Sequence, residues 1–146
     1  MNFFVLSCLL VPLTAITRAQ NLNPISPISV APNSIYDDSS ASTTNVTCAS
    51  SLERINATSF GDVQRWPFIG GTPAIAANGS NSPTCVSCWN MTFEGNFEFI
   101  VAINHEVDSF QISQSAFKAL VNETENEPSL ITANVQLIDN RFCGLL

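Results

Sequence analysis

The chain is predicted to fold as a mostly-β domain with one or two short helices. Three observations carry that expectation. Apolar and polar residues alternate strictly on both sides of Glu94-Gly95-Asn96. A second alternating run places Ile131, Ala133, Val135 and Leu137 on one side near the C-terminus. Between them lies a single amphipathic helical pattern, Ala116, Phe117, Leu120 and Val121, at i, i+1, i+4 and i+5.

The chain has 146 residues, enough for one domain with little to spare. Its first segment, "MNFFVLSCLLVPLTAITRAQ", is an apolar run broken by Pro12 and ending in the small-x-small pattern Thr17-Arg18-Ala19. It is too short to span a bilayer, so 1–19 is predicted to be a secretory signal cut before Gln20. The later apolar runs are short as well, and no stable membrane anchor is expected. Cleavage removes Cys8, which turns five cysteines into four, and it removes Arg18. The mature chain then sets Arg54, Arg65, Lys118 and Arg141 against twelve carboxylates, a formal charge of −8 instead of −7. That surface repels polyphosphate and holds no basic patch, so nucleic acid is excluded as a partner. Uncharged polysaccharides fit such a surface. Five N-x-S/T sequons, at Asn45, Asn56, Asn78, Asn90 and Asn122, suit an exported glycoprotein.

The segment 20–28 holds two prolines and no periodicity, and reads as a flexible N-terminal arm before a domain spanning 29–146. Next comes the Ser/Thr-rich "DDSSASTTNVTCASS", where Val46 and Cys48 alternate with Asn45 and Thr47, so a first strand is expected inside it. "FIGGTP" and "ANGSNSP" read as turns. From Trp89 onward Trp89, Met91 and Phe93 alternate with Asn90 and Thr92. After the turn Phe97, Phe99, Val101 and Ile103 do the same. That predicts a hairpin with one wholly apolar face, and with Asn90 on the other. Ser113 is placed to cap the helix that follows.

"TCVSCW" contains a C-x-x-C pair, Cys85 and Cys88. A redox site wants such a pair at a helix N-terminus, where the dipole lowers a thiol pKa, and strand alternation follows here instead. A zinc site wants four ligands, commonly two such pairs or a pair with histidines, and the chain has one pair and one histidine, His105. Export through an oxidising compartment favours disulfides, and four cysteines leave three pairings open. No metal or other cofactor is expected.

Taken together, "SV…YDDSS", "FIGGTPAIA", "SPTCVSCW", "VAINHEVDSFQIS" and "VQLIDNRFC" occur in an order and spacing that resemble the cerato-platanin family of small secreted fungal proteins. The likeness runs from about Ser29 to Cys143. It implies a six-stranded double-psi β-barrel with short helices, like the first domain of expansins. It also implies the pairing Cys48–Cys85 and Cys88–Cys143. In function it implies a secreted or wall-associated protein that binds chitin-type oligosaccharides, or another wall polysaccharide, without cleaving them. Members of the family also loosen polysaccharide aggregates, self-assemble at interfaces and elicit plant defence, so a host receptor is a further implied partner. The resemblance puts sugar binding near an aspartate whose position here is Asn104. The Ser109-Phe110-Gln111 segment stands where the family has G-F-N, and Tyr36 with Asp37 matches its "YD".

An amide at position 104 accepts weaker bonds than a carboxylate, so the sequence predicts weak binding that Asn104→Asp tightens. Glu106 and Asp108 lie close together on one segment and read as solvated surface. A glycosidase needs two carboxyls across the scissile bond. Trp89 reads as core packed against the disulfide, Trp66 equally as filler or stacking platform, and His105 as a hydrogen-bonded turn residue. Two rivals stand beside the binding reading: a surface-active structural protein of hyphae or interfaces, and a weak glycan hydrolase.

Overall fold

The computed structural model describes residues 25–122 and 128–145. The expected signal segment 1–19, and the arm up to residue 24, lie outside the described residues. Six strands form a closed barrel: β1 (Ser26–Pro32), β2 (Ile69–Thr72), β3 (Ser87–Phe93), β4 (Asn96–His105), β5 (Phe110–Ile112) and β6 (Ile131–Ile138). Their order around the barrel is β1-β5-β2-β4-β3-β6, and β6 closes on β1. The pairs β1–β5 and β2–β4 are parallel, and the other four are antiparallel. Among the described residues, two short helices, α1 (Ala49–Arg54) and α2 (Gln114–Val121), and four 3-10 turns accompany the barrel. Closure matters because it leaves no long strand edge open to another chain.

The helix and the last strand form as the sequence predicts. Ser113 Oγ accepts from Ala116 N at 3.0 Å, and Asn122 ends α2 in the left-handed region at φ 59°. Ala116, Phe117, Leu120 and Val121 are all buried, as are Ile131, Ala133 and Val135 of β6. Both disulfides pair as the resemblance implies, Cys48 with Cys85 and Cys88 with Cys143.

Four expectations need correction. The first strand begins at Ser26, inside the segment expected as a loose arm. Pro27 hid it. There β1 pairs only with β6, because the pairing with β5 covers 30–32, so the missing N–H falls on an unpaired side. No strand forms around Val46 and Cys48. Thr43–Asn45 is a 3-10 turn, and Cys48 opens α1 by accepting from Ser51 N and Leu52 N. The backbone groups there bond singly instead of in a ladder: Thr47 N donates to Asn104 Oδ1, and Cys48 N to the Ile103 carbonyl.

"FIGGTP" contains β2 and not only a turn. Gly70 is there for space: a Cβ on it would stand 2.2 Å from the carbonyl oxygen of Gln111 in the neighbouring strand. Finally, the hairpin turns on two residues, with Glu94 at φ 47°, Gly95 at φ 90° and Phe93 opposite Asn96. The sequence pattern instead predicts a three-residue turn, Glu94-Gly95-Asn96. The difference of one residue exchanges the faces of β4. Ile100 and Ala102, opposite Trp89 and Ser87, point inward, whereas Phe97 and Phe99 share the outer face with Thr92 and Asn90. Val101 is nonetheless fully buried, as is Cys88 opposite it, because the barrel's outer face is covered in turn. Leu52, Phe60, Val63 and Leu145 belong to the same continuous core as the strands.

Candidate functional site

A shallow groove of about 300 Å³ runs between the Ser34–Asp37 turn, the segment 41–46 and the end of β4. Asn33, Tyr36, Asn45, Phe60, Asn104 and Glu106 are among its lining residues. Tyr36 anchors it. Its ring stacks on Phe60 with centroids 5.9 Å apart, and its backbone oxygen accepts from Trp66 Nε1 at 3.2 Å. The phenol donates to Glu106 Oε1 at 2.8 Å. Burial pushes the Tyr36 hydroxyl far above the usual tyrosine range, and the Glu106 carboxylate adds to this while the Asn104 amide opposes it. The phenol therefore stays a donor at all ordinary pH. Gly71 makes room for the pair, since a Cβ there would lie 2.6 Å from Glu106 Cγ and 2.8 Å from the phenol oxygen.

Asn104 is fixed from both ends. Its Oδ1 accepts from Thr47 N at 2.9 Å and Thr47 Oγ1 at 3.0 Å, while its Nδ2 lies 3.4 Å from both Tyr36 Oη and Glu106 Oε1. The amide is thus oriented as a donor toward the phenol and the carboxylate. Next to this cluster Asn33 Nδ2 donates to Gln111 Oε1 at 2.7 Å. Asn33, Asn104, Glu106 and Gln111 are each partly exposed.

The five residues singled out from the sequence are separated by the fold. Tyr36 and Asn104 line the groove, and Gln111 touches its rim through Asn33. Phe110 lies wholly inside the barrel, edge-on to Trp89 at 5.7 Å. Asp37 caps α2, accepting from Gln114 N at 2.7 Å and from Ser115 N at 3.0 Å. Sequence reasoning passed over Glu106 as solvated surface. Its two-residue spacing from Asn104 was the available signal, because alternate residues of a strand share a face. The resemblance implies a carboxylate at 104; in this structure the carboxylate beside the Asn104 amide is that of Glu106. This alters the expected effect of Asn104→Asp, which would set a second negative charge against the first.

Trp89 is 8 % exposed and donates Nε1–H to Ser87 Oγ at 2.9 Å. It is core, as expected, but packs on Phe110 inside the barrel, while its neighbour Cys88 bonds Cys143. Trp66 is half-buried against the core and supports Tyr36. His105 pairs through Nδ1 with the Ile75 carbonyl. A second cavity of about 330 Å³ opens beside Ile28, Ala74, Trp89, Val135 and Leu137. Its lining is mainly aliphatic, so the polar groove is the better match to a sugar.

The comparisons with known proteins agree with this architecture. The cerato-platanin family model matches residues 28–145. "Allergen Asp f 15" of Aspergillus fumigatus is 29 % identical over 145 residues, covering 98 % of this chain and 91 % of its own. The crystal structure of cerato-platanin 2 from M. perniciosa superposes with a TM-score of 0.73 at 29 % identity, covering 82 % of this chain and all of that one. The solution structure of the fungal elicitor Cerato-Platanin gives a TM-score of 0.68 at 29 % identity, covering 80 % of this chain and 96 % of that chain. Among the described residues no helix is long and apolar enough to cross a membrane. From the matched family model, the barrel and the two disulfides together, this chain belongs to the cerato-platanin family.

Proposed function

We propose that the protein is a secreted, non-catalytic binder of wall polysaccharide that takes chitin-type oligosaccharides in the groove at Asn104 and Glu106. On this reading it acts in the wall or outside the cell, loosening polysaccharide without cutting it, and elicits defence as the relative named a fungal elicitor does. The observation that supports it is the Tyr36–Asn104–Glu106 cluster. It offers an oriented amide and one carboxylate at the floor of an open groove. Glu106 accepts from sugar hydroxyls or acetamido N–H groups, and charge-assisted bonds of this kind are worth ~1.5–3 kcal/mol. Hydrolysis would need a second carboxyl across the bond. Glu106 is the only carboxylate among the described groove-lining residues.

Calorimetric titration with a chitin tetramer, with mass spectrometry of the sugar afterwards, tests this. Binding without cleavage is expected, weakened about tenfold by Glu106→Gln, the equivalent of ~1.4 kcal/mol. Equal affinity in wild type and Glu106→Gln would place the ligand elsewhere, and shortened oligomers would make the protein a hydrolase. A second reading, a surface-active protein that assembles at interfaces, draws on the outer-face rings of Phe97 and Phe142, 60 % and 59 % exposed. Loss of interfacial activity in Phe97→Ser with Phe142→Ser, with sugar binding intact, would support it.

A further inference from the structure

Of the five sequons, Asn45 alone lines the groove. It ends the Thr43–Asn45 turn with its side chain exposed. Two residues on, the sequon's Thr47 holds Asn104 through both its N–H and its hydroxyl. The glycosylation signal therefore borders the groove at Asn45 and touches its polar cluster through Thr47. Asn56, Asn78 and Asn122 stand in turns, and Asn90 lies in β3 beside Phe99.

The chemistry of the modification makes this placement informative. An N-linked glycan begins with two β1,4-linked N-acetylglucosamines, the repeating unit of chitin. We infer that a glycan on Asn45 is a tethered competitor for the groove, so that glycosylation at this one site sets the protein's affinity for chitin oligomers. This rests on the binding reading above. In the attachment step Asn45 Nδ2 attacks C1 of an N-acetylglucosamine carried on a polyprenyl diphosphate. The Nδ2–C1 bond forms and the C1–O bond breaks. The diphosphate leaves with the electron pair, and one proton passes from Nδ2 to the transferase. Transfer happens on the exported chain before it folds, so the later Thr47–Asn104 bonds do not oppose it.

A short tether holds its ligand at an effective concentration in the millimolar range. A groove with a dissociation constant of roughly 0.1 mM for a sugar pair would then be about nine-tenths filled, and a free oligomer would bind about tenfold more weakly. Where the tethered sugar cannot turn fully into the groove, its bulk at the rim acts in the same direction.

The test uses full-length protein secreted by a glycosylating host, beside the same chain made without glycans, each as wild type and as Asn45→Gln. The probe is a chitin tetramer, read by calorimetry, with glycopeptide mass spectrometry for occupancy of Asn45. Glycosylated wild type is expected to bind about tenfold more weakly than glycosylated Asn45→Gln. The two unglycosylated proteins report what the substitution does by itself. Endoglycosidase trimming of the wild type to one sugar per site should recover part of the affinity.

Equal affinity of glycosylated wild type and glycosylated Asn45→Gln, with Asn45 occupied, overturns the inference and leaves the binding reading standing. An unoccupied Asn45 also overturns it. No binding in any of the four proteins overturns both.

Discussion

Asn104 is held by bonds that fit an amide and not a carboxylate. Its Nδ2 lies 3.4 Å from Glu106 Oε1, so Asn104→Asp would bring two carboxylates into that space. Like charges so placed raise the pKa of one of them and destabilise the fold at neutral pH, here by roughly 1–2 kcal/mol. The sign follows from linkage. A carboxyl whose folded pKa is raised binds protons that the unfolded chain does not, so the variant's deficit is present above the folded value and vanishes as pH falls below the unfolded value near 4. Thermal melts of wild type and Asn104→Asp should therefore differ at pH 7 and converge toward pH 4. A difference independent of pH would mean the two groups do not meet. The chitin titration of the same variant should show no tightening, contrary to what the sequence by itself predicts.

Single elements carry their own tests. The β3–β4 hairpin turns through Glu94 at φ 47°, in the left-handed region that non-glycine residues other than Asn and Asp avoid. Asn-Gly is the favoured pair for this two-residue turn. Glu94 is exposed, so Glu94→Asn should stabilise by roughly 0.5–1 kcal/mol and raise the Tm by a few degrees. An unchanged Tm would count against the turn geometry. The Phe60–Asp62 turn, which delivers Phe60 to the Tyr36 ring, depends on Asp62. Its Oδ2 accepts from Thr58 N, Thr58 Oγ1, Ser59 N and Ser59 Oγ. These bonds, the Ser59 N–H foremost, hold its pKa below the ordinary carboxylate value. A lowered folded pKa contributes stability above about pH 4 that is lost as pH falls through the folded value. Asp62→Ala should then melt lower than wild type at pH 7 and close the gap in acid. A gap that persists at the lowest pH would assign the role to packing.

At the scale of the whole molecule the disulfides do most to limit the unfolded chain. Cys48–Cys85 spans 37 residues and Cys88–Cys143 spans 55. In the chain-entropy model each contributes roughly 4 kcal/mol, a large part of what a domain of this size has. Reduction should lower the Tm by on the order of 10–20 °C per bridge, while a chelator should change nothing. A melt insensitive to reductant would contradict this. The two bridges also tie down segments outside the barrel: Cys48–Cys85 joins the start of α1 to the segment just before β3, and Cys88–Cys143 joins the C-terminal turn to β3. The groove depends on the first of these, because Thr47, which orients Asn104, precedes Cys48 directly.

Local patterns determined much of this protein. Alternation identified β3, β4 and β6, an apolar stripe behind Ser113 identified α2, and the family's cysteine framework gave both bridges. The strand and helix patterns are signals confined to a few neighbouring residues, whereas the pairing of the cysteines came from the family resemblance, since the residues alone left three pairings open. Tertiary structure alone decided β1 and β2. The first carries Pro27, and the second is built on Gly70 and Gly71, residues that discourage a strand unless partners on the correct side make it one. It also decided which face of β4 is inside, because a two-residue and a three-residue turn differ by one position and a strand's faces alternate with every position. The site divides in the same way. Asn104 and Tyr36 were legible as residues, but their partnership with Glu106 across Gly71 was not. That contact joins residues 36, 71 and 106, and only the pairing of β2 with β4, with the Ser34–Asp37 turn laid beside it, brings those three together.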